Sequence, residues 1–175
     1  MIGPVELIVA GFNEEGKASE VLKEIRKLQK DKVIFLINAA VLSKDEKGKV
    51  SIRETEDVSA GKGALFGALA GGLVGLLGGP VGVVIGAAAG AATGGVAANK
   101  IDMGFPDDTL EELKETLKPG SSAILALIQH QWVDRLVEEM EKYDAALFRQ
   151  SLKEELSAQL LEEGEKTSHN PEQEK

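Results

Sequence analysis

The sequence predicts an α+β fold: a ferredoxin-like antiparallel sheet with helices on one face, plus an inserted glycine-rich α-helical hairpin. Apolar runs and amphipathic stretches follow one another in the order strand, helix, strand, strand, helix, strand. An uncharged segment with glycine at every fourth position interrupts that order after the third strand. We therefore predict a body at 1–60 and 101–163 with appended C-terminal helices, a hairpin at 61–100, and a disordered tail at 164–175.

In the first half of the body, the sequence predicts two buried strands with a helix between them, and a third strand with one solvent-exposed face. Residues 5–10 and 33–42 are apolar runs of strand length. Between them, apolar residues recur at helical spacing after Asn13, a residue type favoured at helix N-caps. After a charged turn, Val50 and Ile52 alternate with polar residues, which is the pattern of a half-exposed strand.

The second half predicts three more helices and one more buried strand. Residues 106–117 open with Pro-Asp-Asp and place leucines on one side of a helix, which ends at a Pro-Gly pair. A fourth strand follows at 122–128, and an amphipathic helix at 132–140. Residues 145–148 form a short edge strand, and leucines at helical spacing mark a last helix over 152–160.

Two glycine runs at a strict four-residue interval define the inserted hairpin. The runs are Gly63, Gly67, Gly71, Gly75, Gly79 and then Gly82, Gly86, Gly90, Gly94. This spacing places each run along one helical face. Leucines stand two positions later in the first arm, about 200° around the helix: Leu65, Leu69, Leu73, Leu77. We expect the glycine ridges to face each other or neighbouring subunits, and the leucine ridge to face lipid or another copy.

The hairpin must bury its glycine ridges, because glycine costs nearly 1 kcal/mol per helical position relative to alanine. Lipid compensates by enforcing helical hydrogen bonding, and close helix contact compensates through dispersion. Each arm holds about 17 residues, a length of roughly 26 Å, against a hydrocarbon thickness of about 30 Å. Lys62 and Lys100 flank the uncharged segment, so the positive-inside rule keeps both ends cytoplasmic.

Composition narrows the function classes. The net charge of −9 disfavours nucleic acid, whose phosphates need clustered lysine and arginine. The absence of cysteine excludes disulfides and thiol chemistry. The N-terminus lacks a basic region and a signal-peptide pattern. We expect membrane association with the body on the cytoplasmic side, or alternatively a cytoplasmic protein.

No catalytic, cofactor-binding or metal-ligating residue is predicted. Residues 11–18 nearly match a phosphate-binding loop, but Ala18 replaces the required Ser or Thr, and a chance match is the better explanation. The two histidines, His130 and His169, form no evident pair, and His130 is interpreted as a surface or boundary residue. The acids at 107–112 fit the first turn of a helix.

The chain resembles a bacterial family of uncharacterised "predicted membrane proteins", a domain of unknown function. The resemblance runs from about residue 5 to 160 and rests on five segments: 39–42, 47–50, 63–68, 82–95 and 119–123. It implies a ferredoxin-like body with a glycine-zipper hairpin, membrane association and self-assembly. It supplies no catalytic residue and no known small-molecule substrate.

Three hypotheses follow. The first is a non-enzymatic, membrane-associated homo-oligomer that uses the hairpin to anchor in a lipid bilayer and to assemble. The second is a soluble homo-oligomeric ring or shell with its hairpins in a shared apolar interior, where it would bind an apolar ligand. The third is an enzyme or ligand-sensing domain, because the ferredoxin-like superfold hosts many functions.

Overall fold

The computed structural model describes residues 4–53, 64–78 and 106–168. Over these residues it has five β-strands, five α-helices and a 3₁₀ helix, which confirms the predicted α+β class. In chain order they are β1 Val5–Phe12, α1 Lys17–Lys30, β2 Leu36–Lys44, β3 Val50–Arg53, α2 Ala64–Gly78, α3 Asp107–Thr116, β4 Ser121–Gln129, the 3₁₀ helix His130–Trp132, α4 Val133–Glu141, β5 Ala146–Ser151 and α5 Glu154–Ser168.

The five strands form one antiparallel sheet in the order β3-β2-β4-β1-β5. β4 is central, and its Leu125 lies opposite Val9 of β1 and Ala40 of β2. The β-α-β-β-α-β order of ferredoxin-like folds is found in β1, α1, β2, β4, α4 and β5. β3, α2 and α3 are therefore additions between β2 and β4.

The position of the third strand differs from the sequence prediction. The strand at Val50 and Ile52 was expected within the four-stranded unit, but β3 lies at the edge, paired only with β2 among the described strands. β4 takes the interior position because residues 121–128 are all buried, on both faces of the strand. β3 has the partly exposed Ser51 between two buried apolar residues, as expected for a half-covered edge strand.

Helices cover both faces of the sheet, so the prediction of helices on one face is wrong. Successive side chains of a strand point to opposite faces, and both sets in β1 are apolar. Ile8 and Ala10 pack in a cluster with α1 and α4, whereas Leu7 and Val9 pack in a second cluster with α2, α3 and α5. Two apolar sheet faces require two helical layers, and the fold has three layers.

Helix α2 is part of the body. Its Leu69 and Leu73 are fully buried in the cluster that also holds Val50 and Ile52 of β3. The sequence instead predicts the whole segment 61–100 as an insertion separate from the body. At the C-terminus, α5 continues to Ser168, beyond the predicted start of the tail at residue 164.

The second glycine run lies outside the described residues. Its members are Gly82, Gly86, Gly90 and Gly94, and Gly79 at the end of the first run lies outside them as well. Gly63, at the start of the first run, also lies outside them. The structure therefore describes one helix of the predicted hairpin, α2, and the pairing of the two arms stays a prediction.

We expect Leu73→Ala to lower the free energy of unfolding by about 2–5 kcal/mol, the cost of a cavity at a buried leucine. The matched control is Val33→Ala, because Val33 is 41% exposed and its substitution should cost about 0.5 kcal/mol or less. Urea unfolding followed by far-ultraviolet circular dichroism measures both. Equal midpoints for Leu73→Ala and the wild type would show that α2 is not part of the core.

Candidate functional site

Helix α2 has two faces of different character. Leu69, Leu73 and Leu77 follow one another at four-residue spacing and are buried against the sheet. The glycine side reaches the surface at Gly75, which is exposed. A Cβ atom built at Gly75 meets no described atom within 4 Å. The leucine face is thus the inner face of α2, and the glycine face points outward at this turn of the helix.

The glycine face is not uniformly open. Gly71, one turn before Gly75, is buried, and Gly72 beside it is partly buried. Gly67 lies in the same helix. The open part of the face within the described residues is therefore the C-terminal turn around Gly75.

A lysine from the sheet fixes the C-terminal end of α2. Lys44, the last residue of β2, donates a hydrogen bond from Nζ to the carbonyl oxygen of Leu77 at 3.0 Å. The last carbonyls of a helix lack partners within the helix, and a cation is favoured beside them. This contact and the buried leucines together set the rotation of α2, and with it the direction in which Gly75 points.

The leucine ridge differs in orientation from the sequence prediction. Leu69, Leu73 and Leu77 contact the chain's own sheet, whereas the prediction directed them to lipid or another copy. The physical reason is the second apolar face of the sheet, which needs cover and which α2 supplies. The predicted oligomerisation role of the glycines stays a prediction.

A second site lies on the opposite face of the sheet, around a buried carboxylate. Glu6, near the start of β1, has 0% exposure. Arg149 of β5 donates two hydrogen bonds to it, from Nε to Oε2 and from Nη2 to Oε1, the latter at 2.8 Å. His130, the first residue of the 3₁₀ helix after β4, contacts Oε1 through Nδ1. Glu6 thus links β1 to β5 and to the residue that follows β4.

Ionisation of Glu6 is favoured by these partners. Burial by itself raises the pKa of the carboxyl, but the hydrogen bonds and positive charge of Arg149 and His130 outweigh it, and the pKa of Glu6 lies below its ordinary value of 4.5. Conversely, the hydrogen bond to Glu6 raises the pKa of Arg149, and the charge of Asp134 adds to this effect. The pair is an ionised, bidentate salt bridge.

The histidine is the accessible member of this cluster. Its side chain is 58% exposed, which agrees with the interpretation of His130 as a surface or boundary residue. An ionised Glu6 can only accept, so Nδ1 of His130 carries a proton and donates to it. Such a carboxylate–histidine pair orients bases and metal ligands in enzymes. Within the described residues, however, no group of three or more metal-ligating side chains exists.

Sequence reasoning missed Glu6 and Arg149. The signal for Glu6 was present, since a single acid stands inside the apolar run at 5–10 and a charge in a buried strand needs a partner. Arg149 could not be assigned as that partner, because the pairing depends on the antiparallel register of β1 and β5.

The loop that resembles a phosphate-binding loop is closed by a side chain. The amide of Ala18 donates to Ser122 Oγ at 3.0 Å, and this hydroxyl in turn donates to the carbonyl of Glu14 at 2.5 Å. Ser122 of β4 therefore caps the start of α1 in place of an anion. The N-cap is Gly16, without a side-chain hydrogen bond, so the assignment of Asn13 as N-cap is wrong.

The fold and the two sites define an α+β protein with a five-stranded antiparallel sheet enclosed by helices on both faces. The model of the DUF1269 family, proteins of unknown function, matches residues 64–164. This match covers more than half of the chain, and the chain belongs to the DUF1269 family. The comparison with curated proteins gives no match, and neither does the comparison with solved structures.

The match begins at the first residue of α2 and ends within α5. The family unit thus includes α2 together with the central strand β4. Among the described helices, none combines the length and the apolar character needed to cross a bilayer.

We expect Glu6→Gln to lower the free energy of unfolding at pH 7 by roughly 1–3 kcal/mol, because it removes the charge that satisfies Arg149. A lowered folded-state pKa stabilises the protein above the unfolded-state value and loses this effect as the pH falls through the folded-state pKa. The wild type should therefore lose its advantage over Glu6→Gln below about pH 4.5.

Glu20→Gln serves as the control, because Glu20 is 71% exposed in its ion pair with Lys17 and such pairs contribute about 0–1 kcal/mol. The free energy of unfolding of the wild type, Glu6→Gln and Glu20→Gln is measured by urea unfolding at a series of pH values. A constant difference between wild type and Glu6→Gln from pH 7 to pH 3 would contradict the assignment of an ionised Glu6.

Proposed function

We propose that this protein is a non-enzymatic, self-associating protein and that copies meet through the glycine face of α2. The observation that supports this is the orientation of α2, with leucines on the sheet and the exposed Gly75 directed outward. The proposal keeps self-assembly as the role of the glycine period and reassigns the leucine ridge to the chain's own core.

The energetic argument starts from the cost of glycine in a helix. Gly67, Gly71, Gly72 and Gly75 lie inside α2, and each costs about 0.8–1 kcal/mol relative to alanine. Packing of the leucine face stabilises the helix but sets no requirement for glycine at the exposed Gly75. Glycine at this exposed position is explained if another helix approaches so closely that a side chain would not fit between the two backbones.

The approaching helix has a counterpart in the sequence. Residues 82–94 repeat the glycine period of α2, and no charge occurs from 63 to 99. A second ridge of the same period can pack against the turn around Gly75, in the manner of small-xxx-small contacts. The partner surface is then a glycine run of this chain, from the same copy or from a neighbouring one, and the product is a homo-oligomer.

We expect Gly75→Leu to disrupt self-association and leave the body folded, because a Cβ atom at this exposed position meets no described atom within 4 Å, whereas a leucine would fill the space of an approaching helix. Sedimentation velocity of the purified protein measures assembly, and far-ultraviolet circular dichroism measures folding. Gly75→Ala is the matched control. It should weaken assembly less than Gly75→Leu does, because a methyl group is smaller than an isobutyl group, and raise the unfolding free energy of the chain by about 0.5–1 kcal/mol.

A sedimentation profile of Gly75→Leu identical to that of the wild type would exclude the face around Gly75 as the contact surface. A monomeric wild type would exclude self-association itself.

Membrane association is the second candidate, and the uncharged stretch from 63 to 99 supports it. Because the leucines of α2 are buried against the sheet, insertion would depend on the residues after α2 or on release of α2 from the body. The geometry of the described residues therefore supports membrane insertion less than it supports self-association.

If this second candidate holds, Ala89→Arg should abolish flotation with phosphatidylcholine–phosphatidylglycerol vesicles, because Ala89 lies near the middle of the second arm and an arginine at the centre of an inserted helix costs about 2.5–3.5 kcal/mol. Ala89→Leu, which keeps the site apolar, should float like the wild type. Absence of the wild type from the vesicle fraction, or equal flotation of the arginine variant, would rule out insertion of this segment.

A further inference from the structure

A groove of about 560 Å³ opens on the sheet face that carries α1 and α4. Its wall is formed by the last turns of α1, by the chain that enters β2, and by the 3₁₀ helix after β4. Its volume is within the range of roughly 300–1,000 Å³ found for small-molecule sites. Neither the glycine face nor the Glu6 salt bridge is part of its lining.

The polar part of the lining is cationic. Arg26 and Lys30 are four positions apart on α1 and share one helical face. Lys32 follows in the connection to β2. None of the described residues that line the groove is acidic, although the chain as a whole carries a net charge of −9. A concentration of positive charge in an acidic protein favours an anionic ligand at this place.

The apolar part of the lining is aromatic and open to solvent. Phe35 is 56% exposed, and with its neighbour Val33 it forms the set of large exposed hydrophobic residues among the described part of the chain. Ile34 and Trp132 complete the apolar wall. Aromatic surfaces of this kind bind flat apolar groups. The lining therefore combines an apolar wall with positive charges.

Lys32 is held in a backbone conformation that glycine would adopt more easily. Its φ is +59°, and it occupies the left-handed position of a Schellman motif that ends α1, with Val33 N–H donating to Leu28 O and Lys32 N–H to Gln29 O. Glycine is the usual residue there because it lacks a Cβ. A lysine at such a position makes the protein less stable than glycine would. A role for the lysine side chain explains why it is found there.

We propose that this groove binds a small amphipathic anion, that is, an aromatic or aliphatic group carrying one carboxylate, sulfonate or phosphate. The apolar group would lie against Phe35 and Trp132, and the anionic group would be paired with Lys32. The inference is independent of the proposed self-association, because α2 lies on the other face of the sheet.

The chain contains a built-in reporter, since Trp132 is its single tryptophan. The probes are 8-anilinonaphthalene-1-sulfonate and N-phenyl-1-naphthylamine, which share the ring system and differ in the sulfonate. We expect the sulfonate probe to bind saturably at one site per chain, with energy transfer from Trp132. The affinity of the neutral probe should be lower by about tenfold or more.

Variants separate the two parts of the site. Lys32→Gly should weaken the sulfonate probe about tenfold, leave the neutral probe unchanged, and keep or raise the unfolding midpoint, so that lost binding is not lost folding. Phe35→Ala should weaken both probes. Lys47→Gln, at an exposed lysine in the turn between β2 and β3, is the control and should change neither.

Equal affinity for the two probes would overturn the proposal, as would an unchanged affinity of Lys32→Gly for the sulfonate probe. Absence of energy transfer from Trp132 at saturation would place the bound probe elsewhere and would overturn it as well.

Discussion

The fold depends on one constraint, the burial of β4 on both faces. A strand with buried residues from Ser121 to Ile128 cannot lie at an edge or under a single helical layer. It pairs with β1 and β2, and these strands are apolar on both faces for the same reason. Once both sheet faces are apolar, the helices α1 and α4 cover one of them, and the other must be covered by additional helices.

Helix α2 covers this second face, and the need to cover it determines which face of α2 is buried. A sheet face that lacked α2 would expose the cluster around Val50 and Ile52, at roughly 25 cal/mol per Å² of apolar area. The leucines of α2 cover it, and on the opposite side of the helix Gly75 is directed outward. The outward direction of Gly75 is thus a consequence of the sheet, reinforced by the contact of Lys44 with Leu77.

Much of the fold could be predicted from the sequence, because each strand and helix has its own local pattern. The edge strand near the C-terminus, the strand at Val50 and Ile52, and the helices at 107–116 and 133–141 all agree with the pattern of apolar residues in the sequence. The strand order could not be obtained in the same way. The uninterrupted apolar character of Ala123–Ile128 indicates a central strand, whereas the alternation of Val50 and Ile52 indicates one exposed face without fixing the position of the strand in the sheet.

The sites were less predictable, for a different physical reason. The glycine period is a local pattern that can be read from the sequence. The direction of the leucines depends instead on which apolar face of the sheet still has to be covered. Glu6 and Arg149 are 143 positions apart and meet through the β1–β5 register. The groove is formed by residues around 26–35 and by Trp132, which β4 brings together. Such assemblies have no signature in a single sequence.

The 3₁₀ helix at His130–Trp132 connects two of these features. Its first residue is tied to β1 twice, through the His130 ring to Glu6 and through the His130 amide to Pro4 O at 2.9 Å. Its last residue, Trp132, lines the groove. A helix of three residues leaves little freedom between its ends, so the buried carboxylate that holds His130 also fixes where the indole stands. The salt bridge near the start of β1 therefore supports the groove wall through His130.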